Sequence, residues 1–356
     1  MKDIVKQFQT EGKFEKLETY GNGDINMTYL CHFRLEDGTS KKYLLQRINS
    51  KVFKNIDGLM NNIVLVSEYL LKSNNPEHTI HLIPTKDGKN YYFDEEIKKY
   101  FRMYNFISNA FAFSYGNPII NYEAAKVIGR FQKDLSGLDS SLLVETIHHF
   151  HDSKKRYEDL QYSIIKDNLY RVKYVQNEID FVEKRQHILD EINSLVREKK
   201  IPIRTCHNDT KINNILFDRF GGKGICMIDF DTIMPGTILY DFGDAIRYCC
   251  NEGKENETDL NKVKFNLDFF ESFTKGYLEE TKDLLNEYEK ENLVKSCIII
   301  TLECGIRFLT DFINGDVYFA IDKEYDNLDK ARVHFKLVEQ MEEQRSQLEE
   351  IVKKYL

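Results

Sequence analysis

The stretch HNDTKINNILFDRFGGKGICMIDFD, His207–Asp231, decides how this chain is read. Asp209 stands two residues after His207, and Asn214 five residues after Asp209. Phosphoryl transfer asks for such a set. A carboxylate must take or orient the proton of an acceptor hydroxyl, and a neutral oxygen must help to hold Mg2+. Lys211 is placed to offset charge on a phosphoryl group in flight. A second carboxylate must then reach the metal from a nearby strand end. ILFD, the Gly221-Gly222 turn and CMIDF read as a hairpin that returns Asp229 to the neighbourhood of Asn214. Twelve residues further on, YDFGD spells D-F-G at Asp241–Gly243, the letters that mark the metal Asp of protein kinases. Pro235-Gly236 turns the chain away before that point, so Asp229 is the expected ligand. A solvated helix N-terminus is the plain alternative for Asp241 and Asp244. The string H-x-D-x4-N alone is weak, and the hairpin behind it is what gives it weight. His207 reads as a loop-fixing residue and Cys206 as a small buried one.

The chain has 356 residues, which suggests about two domains or two lobes. Apolar residues make up 42% and charged residues 30%, as in an ordinary globular protein with a sizeable core. A net charge of −8 argues against a nucleic-acid or anionic membrane surface. The seven cysteines show no metal-like spacing, so reduced, mostly buried thiols are expected. Met1–Thr10 has no apolar signal core, and no apolar run approaches the ~18 residues of a membrane span. The expectation is a cytoplasmic protein with no membrane contact and no obligate protein partner.

Residues 1–108 read as a small sheet with one helix. KFEKLETYGNGDINMTYLCHFRLEDGTSKKYLLQRIN alternates apolar and polar, with turn chemistry at Gly21–Gly23 and Glu36–Gly38. Leu59, Ile63, Val66 and Leu70 then recur at helical spacing. TIHLIPT, NYYFDEE and YFRMYNFI read as further strands. Residues 109–356 read as mostly helical, including one long helix over Ser153–Lys200 and another over Asp329–Leu356. The fold class is therefore α+β, a β-rich lobe followed by a helical one with the cleft between them.

HNDTKINNILFD, IDFDTIMPG and YDFGDAIR resemble the aminoglycoside phosphotransferase and choline kinase superfamily, which has a protein-kinase-like bilobal fold. LECGIRFLTDF and GDVYF further resemble N-acetylhexosamine 1-kinases within it, and the similarity runs from GNGDINMTY to GDVYF. The resemblance implies Asp209 as catalytic base and Asn214 and Asp229 as Mg2+ ligands, with Asp231 a nearby second carboxylate. It implies that Asp241 is a structural acid bonded to the loop from below. It also implies ATP as donor and a small-molecule sugar as acceptor. FHDSKKRY, Phe150–Tyr157, matches the family too, with no chemistry assigned to it.

On the nucleotide side, YGNGDINMTY resembles a phosphate-covering loop, with Gly21, Gly23 and Asn26 as its contacts. A plain hairpin turn is the alternative. The strand KYLLQRIN offers Arg47 as the phosphate cation, with Lys42 and Gln46 as alternatives and Glu68 as a helix partner. The adenine edge is expected at Asn105–Ile107. On the acceptor side, Glu303, Arg307 and Asp311 recur every four residues in a helix that is otherwise apolar on most of its surface. Buried charges are costly unless paired or used, which favours a pocket-facing row over a solvated ladder. With Tyr318 as a ring face they make a sugar site, and the resemblance adds Asp316 less firmly. Choline would call for an aromatic cage, and the chain has no Trp. Kinases for another small alcohol (an aminoglycoside, homoserine or choline) share every ATP-side residue. A catalytically idle relative is the non-enzyme alternative.

Overall fold

A computed structural model describes residues 1–21, 25–72 and 74–356. A five-stranded antiparallel sheet opens the chain in the order β1-β2-β3-β5-β4. Its strands are β1 (Lys13–Thr19), β2 (Met27–Arg34), β3 (Ser40–Ile48), β4 (Tyr92–Asp94) and β5 (Lys99–Asn105). Side chains alternate faces along a strand. Cys31, Phe33, Tyr43, Leu45, Phe101 and Met103 therefore share one face. They pack with Phe8 and with Ile4 and Val5 of the short helix α1 (Lys2–Val5). Ile48 and Tyr104 lie on the other face and join the main core, which runs through the helical part. Helix α2 (Ile56–Leu71) buries Leu59, Ile63, Val66 and Leu70, the stripe its spacing foretold. Asn55 caps it by accepting from the Gly58 N–H. TIHLIPT forms no strand of its own. It runs beside β5, joined through an isolated bridge between Leu82 and Tyr104.

Strand β6 (Ala110–Phe111) pairs with β8 (Ile215–Asp218), which pairs with β9 (Gly224–Met227). The expected hairpin is thus present. Ile215 faces Met227, and the Ile228 N–H donates to the Asn214 carbonyl at 2.9 Å. A second small pairing joins β7 (Arg204–Cys206) to β10 (Met234–Gly236). The helices are α3 (Pro118–Asp134), α4 (Ser153–Lys166), α5 (Gln176–Glu183), α6 (Glu191–Arg197), α7 (Ile238–Cys249), α8 (Leu267–Thr281), α9 (Glu287–Glu291), α10 (Leu293–Asn314), α11 (Asp326–Glu343) and α12 (Arg345–Tyr355).

Two expected long helices are broken. Over 153–200 the first of two breaks comes at Asp167, which adopts the left-handed conformation at φ 34° and accepts from the N–H groups of Arg171 and Val172, and the second lies between Glu183 and Glu191. An Asp side chain that satisfies following N–H groups competes with the helix. The C-terminal helix divides at Gln344. Helix α10 is continuous and nearly enclosed. A Cβ at Gly305 would meet the Phe335 ring at 2.4 Å, so this glycine lets α11 approach. A Cβ at Gly243, the G of D-F-G, would lie 2.7 Å from the Ser296 carbonyl, so that glycine serves the packing of α7 on α10. Among the described residues no helix is long and apolar enough to cross a membrane.

Candidate active site

The 207–214 loop leaves β7 and ends where β8 begins, and α7 supports it from beneath. Asp241 is fully buried, and its carboxylate accepts the backbone N–H groups of His207 (3.0 Å) and Asn208 (2.7 Å) and the Gln132 amide (3.0 Å). Burial pushes this carboxyl up, and those donors with the His207 ring oppose it. Asp244, one turn on, accepts the Thr210 N–H at 2.7 Å and pairs with Arg247 at 2.7 Å. Burial opposes its charge, but the Arg247 guanidinium holds it below the ordinary carboxylate value. His207 donates Nε2 to the Ile228 carbonyl at 3.0 Å and so ties the loop to the end of the hairpin. Asp241 and Asp244 therefore hold the loop's backbone and face no cavity.

Asp209 and Asn214 meet at the end of this loop. The Asn214 amide donates to Asp209 Oδ2 at 2.8 Å and to the Asp209 carbonyl at 2.9 Å. Lys211 Nζ lies 3.4 Å from Asp209 Oδ1. Asp229 follows β9 in the left-handed conformation, φ 62° and ψ 71°, which for a non-glycine residue is a strained setting. Its placement within the protein and repulsion from Asp231 and Asp209 raise its carboxyl above the ordinary value. The residue is open to solvent, so the neighbouring carboxylates are the firmer cause. These residues fit a Mg2+ ion. The Asn214 amide nitrogen is spent on Asp209, which leaves its oxygen as a ligand, and the Asp229 carboxylate has no protein donor among the described residues. Among the described residues no cluster of three or more His, Cys, Asp or Glu could hold a metal. Mg2+ is commonly held by one or two carboxylates with substrate phosphates completing its shell.

The row Glu303, Arg307, Asp311 does not face one pocket. Glu303 is fully buried, with His151 Nδ1 at 2.9 Å from Oε1 and Ser153 donating to Oε2 at 2.5 Å. Burial opposes its charge, but His151, Arg307 and Ser153 hold it below its ordinary value. The other ring nitrogen of His151 faces the Asn208 carbonyl at 3.2 Å, so Glu303 braces the loop through His151 and is not positioned as a sugar contact. Asp311 accepts the N–H groups of Val317, Tyr318 and Phe319 and shapes the segment that carries Tyr318. Asp316 is taken by Arg171 and Asn327. Four-residue spacing aligns side chains along a helix, but a fully enclosed helix has no single outward face.

Arg307 does reach a cavity. With Asp209, Lys211, Phe150, Tyr318 and Phe319 it lines a space of about 450 Å3. Its guanidinium lies over Phe150 at 4.7 Å and Phe319 at 5.5 Å from the ring centroids. Among the described residues it makes no ion pair and no hydrogen bond. Among its lining cations, Lys211 pairs with Asp209, Arg247 with Asp244 and Glu255, and Lys330 with Asp326. FHDSKKRY thereby gains its account. Phe150 floors Arg307, His151 and Ser153 hold Glu303, and Asp152 caps α4 by accepting from the Lys155 N–H.

On the sheet side, Gly21 has φ 70° with nothing among the described residues within 4 Å of a Cβ built there, and Gly23 lies outside the described residues. Asn26 is committed at both ends, accepting the Asn49 N–H at 2.9 Å and donating to Asp231 at 2.5 Å. Asp231 is buried against Arg102 at 2.5 Å and does not line the 450 Å3 cavity, so it is not placed as an acceptor contact. Arg47 rests on the Met27 sulfur, Glu68 is exposed, and no ion pair joins them among the described residues. The Asn105 side chain is bonded to the His81 N–H and the Thr79 carbonyl. Ile107 takes part in no backbone hydrogen bond among the described residues, which leaves its N–H and C=O free. Arg102 was unmarked in the sequence reading, although a cation within the apolar YFRMYNFI strand is itself a signal.

Residues 122–265 match the model of the phosphotransferase enzyme family. An aminoglycoside phosphotransferase from Alicyclobacillus acidocaldarius aligns over 99% of this chain and 96% of its own, with TM-score 0.62 and 11% identity. A choline kinase from Cryptosporidium parvum aligns over 93% and 90%, with TM-score 0.60 and 16% identity. The chain has the aminoglycoside phosphotransferase and choline kinase fold. This is the α+β, protein-kinase-like architecture expected from His207–Asp231. The amicoumacin kinase hAmiN, solved with AMP-PNP, Ca2+ and Ami, aligns over 95% and 92%, with TM-score 0.60 and 13% identity.

Proposed function

We propose that this protein is an ATP- and Mg2+-dependent small-molecule kinase whose acceptor is an N-acetylhexosamine, phosphorylated on its anomeric hydroxyl. The nucleotide would lie between the sheet of residues 1–108 and the helical residues 109–356, with its adenine edge at Ile107. Asn214 Oδ1 and Asp229 would hold Mg2+, whose charge shields the terminal phosphates. Asp209, oriented by the Asn214 amide, accepts the proton of the attacking hydroxyl. Lys211 is close enough to Asp209 to offset charge on the transferring group. The phosphotransferase match over residues 122–265 and the nucleotide complexes of the fold's other members support the kinase reading.

The acceptor reading is carried by Arg307. A guanidinium with five N–H donors, gripped by two rings and with no hydrogen-bond acceptor among the described residues, selects a ligand rich in oxygen acceptors. A quaternary ammonium or a polyamine would be repelled by the Arg307 charge, which costs affinity. An acetamido sugar supplies hydroxyl and carbonyl oxygens and an apolar ring face for Tyr318 or Phe150. The resemblance of LECGIRFLTDF and GDVYF to hexosamine 1-kinases supports the anomeric position. ATP consumption with GlcNAc, GalNAc, choline, homoserine and an aminoglycoside tests the class. Turnover confined to the two N-acetylhexosamines is expected. Turnover of choline or the aminoglycoside alone overturns the acceptor assignment.

A further inference from the structure

The cleft face of β3 presents Lys42, Leu44, Gln46 and Ile48, and Arg47 points away to Met27. Lys42 lies over the Phe106 ring at 5.4 Å. The register of the sheet sets Gln46 directly opposite Arg102 of β5, so the two side chains stand on the same face.

Their contacts fix the guanidinium. Gln46 donates its amide to Thr28 Oγ at 3.0 Å, which makes its carbonyl oxygen the free acceptor. Arg102 gives that oxygen both Nε, at 3.0 Å, and Nη2, at 2.8 Å. Nη1 is left pointing at Asp231 Oδ1, 2.5 Å away. The angles make this a charge contact only, since neither atom has a hydrogen-bond partner. The second Asp231 oxygen is taken by the Asn26 amide. Arg102 is fully buried, and its Nη1 is met by the Asp231 charge without an aligned hydrogen bond. Asp231 is one residue from Phe230 and two from Asp229, so this donor lies at the same end of the cleft as the proposed metal site.

We propose that Arg102 is the phosphate-binding cation of the sheet, supplied from β5 and aimed by Gln46. Asp231 is its stand-in anion. A carboxylate offers Arg102 and Asn26 the two oxygens that a nucleotide phosphate offers, and the phosphate replaces it when nucleotide enters. The proposal rests on the kinase reading above and names the residue that binds that reading's donor substrate.

Calorimetric binding of Mg·ADP and of adenosine tests it without turnover, in wild type, Asp231→Asn and Arg102→Met/Asp231→Asn. The double variant carries no buried lone charge, which protects its folding. Asp231→Asn should bind Mg·ADP at least as tightly as wild type. The double variant should bind it about 10- to 100-fold more weakly than Asp231→Asn, the cost of one charged hydrogen bond, with adenosine unchanged. Equal Mg·ADP affinity in the two variants overturns the proposal. So does weaker binding by Asp231→Asn than by wild type, or a parallel loss of adenosine in the double variant. Wild-type protein that binds neither ligand sinks the kinase reading itself.

Discussion

Replacing Asp241 by alanine should weaken the fold and spare metal binding, although Asp241 opens the only D-F-G in the chain. Its carboxylate is the acceptor for the His207 and Asn208 N–H groups and for the Gln132 amide, all in a buried setting. A buried donor left without an acceptor costs about 1–3 kcal/mol. Two orphaned backbone donors thus set the scale, reduced because the variant no longer buries a carboxylate whose charge burial disfavours. The expected loss is about 3 kcal/mol, a large share of the 5–15 kcal/mol typical of a domain. Urea unfolding followed by circular dichroism would measure it. Under native conditions, the folded Asp241→Ala variant should bind Mg·ADP within a few-fold of wild type. Asp229→Ala should do the reverse, because its carboxylate is open to solvent and repelled by Asp231 and Asp209. It should lose Mg2+-dependent ADP binding and unfold at no lower urea concentration. Loss of Mg2+ affinity in Asp241→Ala with none in Asp229→Ala would refute the assignment of the two aspartates.

Asp209→Asn removes the proton acceptor and keeps the Asn214 contact, so turnover should fall by about 10²–10⁴ with nucleotide affinity intact; near-wild-type turnover removes Asp209 from its role. Arg307→Met should lower kcat/KM for the sugar by about 10- to 100-fold, the scale of one or two charged hydrogen bonds, with KM for ATP unchanged. The His334 ring donates Nδ1 to the Lys330 carbonyl and presents Nε2 to Arg247, so the fold holds it neutral, and burial with the Arg247 charge lowers it from 6.5 to about 4. Its contribution is fully present above pH 6.5 and is lost as pH falls through about 4, by about 3 kcal/mol at most. The stability gap between wild type and His334→Gln should shrink over that window, and a flat gap contradicts this.

The parts of the fold that were legible are those written in local spacing. The α2 stripe, the β8–β9 hairpin and the enclosed α10 all follow from periodicity and turn residues near one another. The unread parts depend on partners far apart in the chain. Glu303 is answered by His151, 152 residues away, so spacing showed a buried charge there but not what met it, and Arg102, answered by Asp231, went unmarked. The break at Asp167 was hidden because a single side chain bonding two N–H groups outweighs a helical pattern on both sides. Asp229 and Asp241 were separable from sequence because one hairpin and one Pro-Gly turn decide where each carboxylate goes.

The most direct test of the central claim is the position of the new phosphate. Wild-type protein would be incubated with ATP, Mg2+ and an N-acetylhexosamine, and the product read by proton–phosphorus correlation NMR. A correlation from phosphorus to the anomeric proton is predicted. A phosphate on O6, or no phosphorylated sugar at all, would contradict the account.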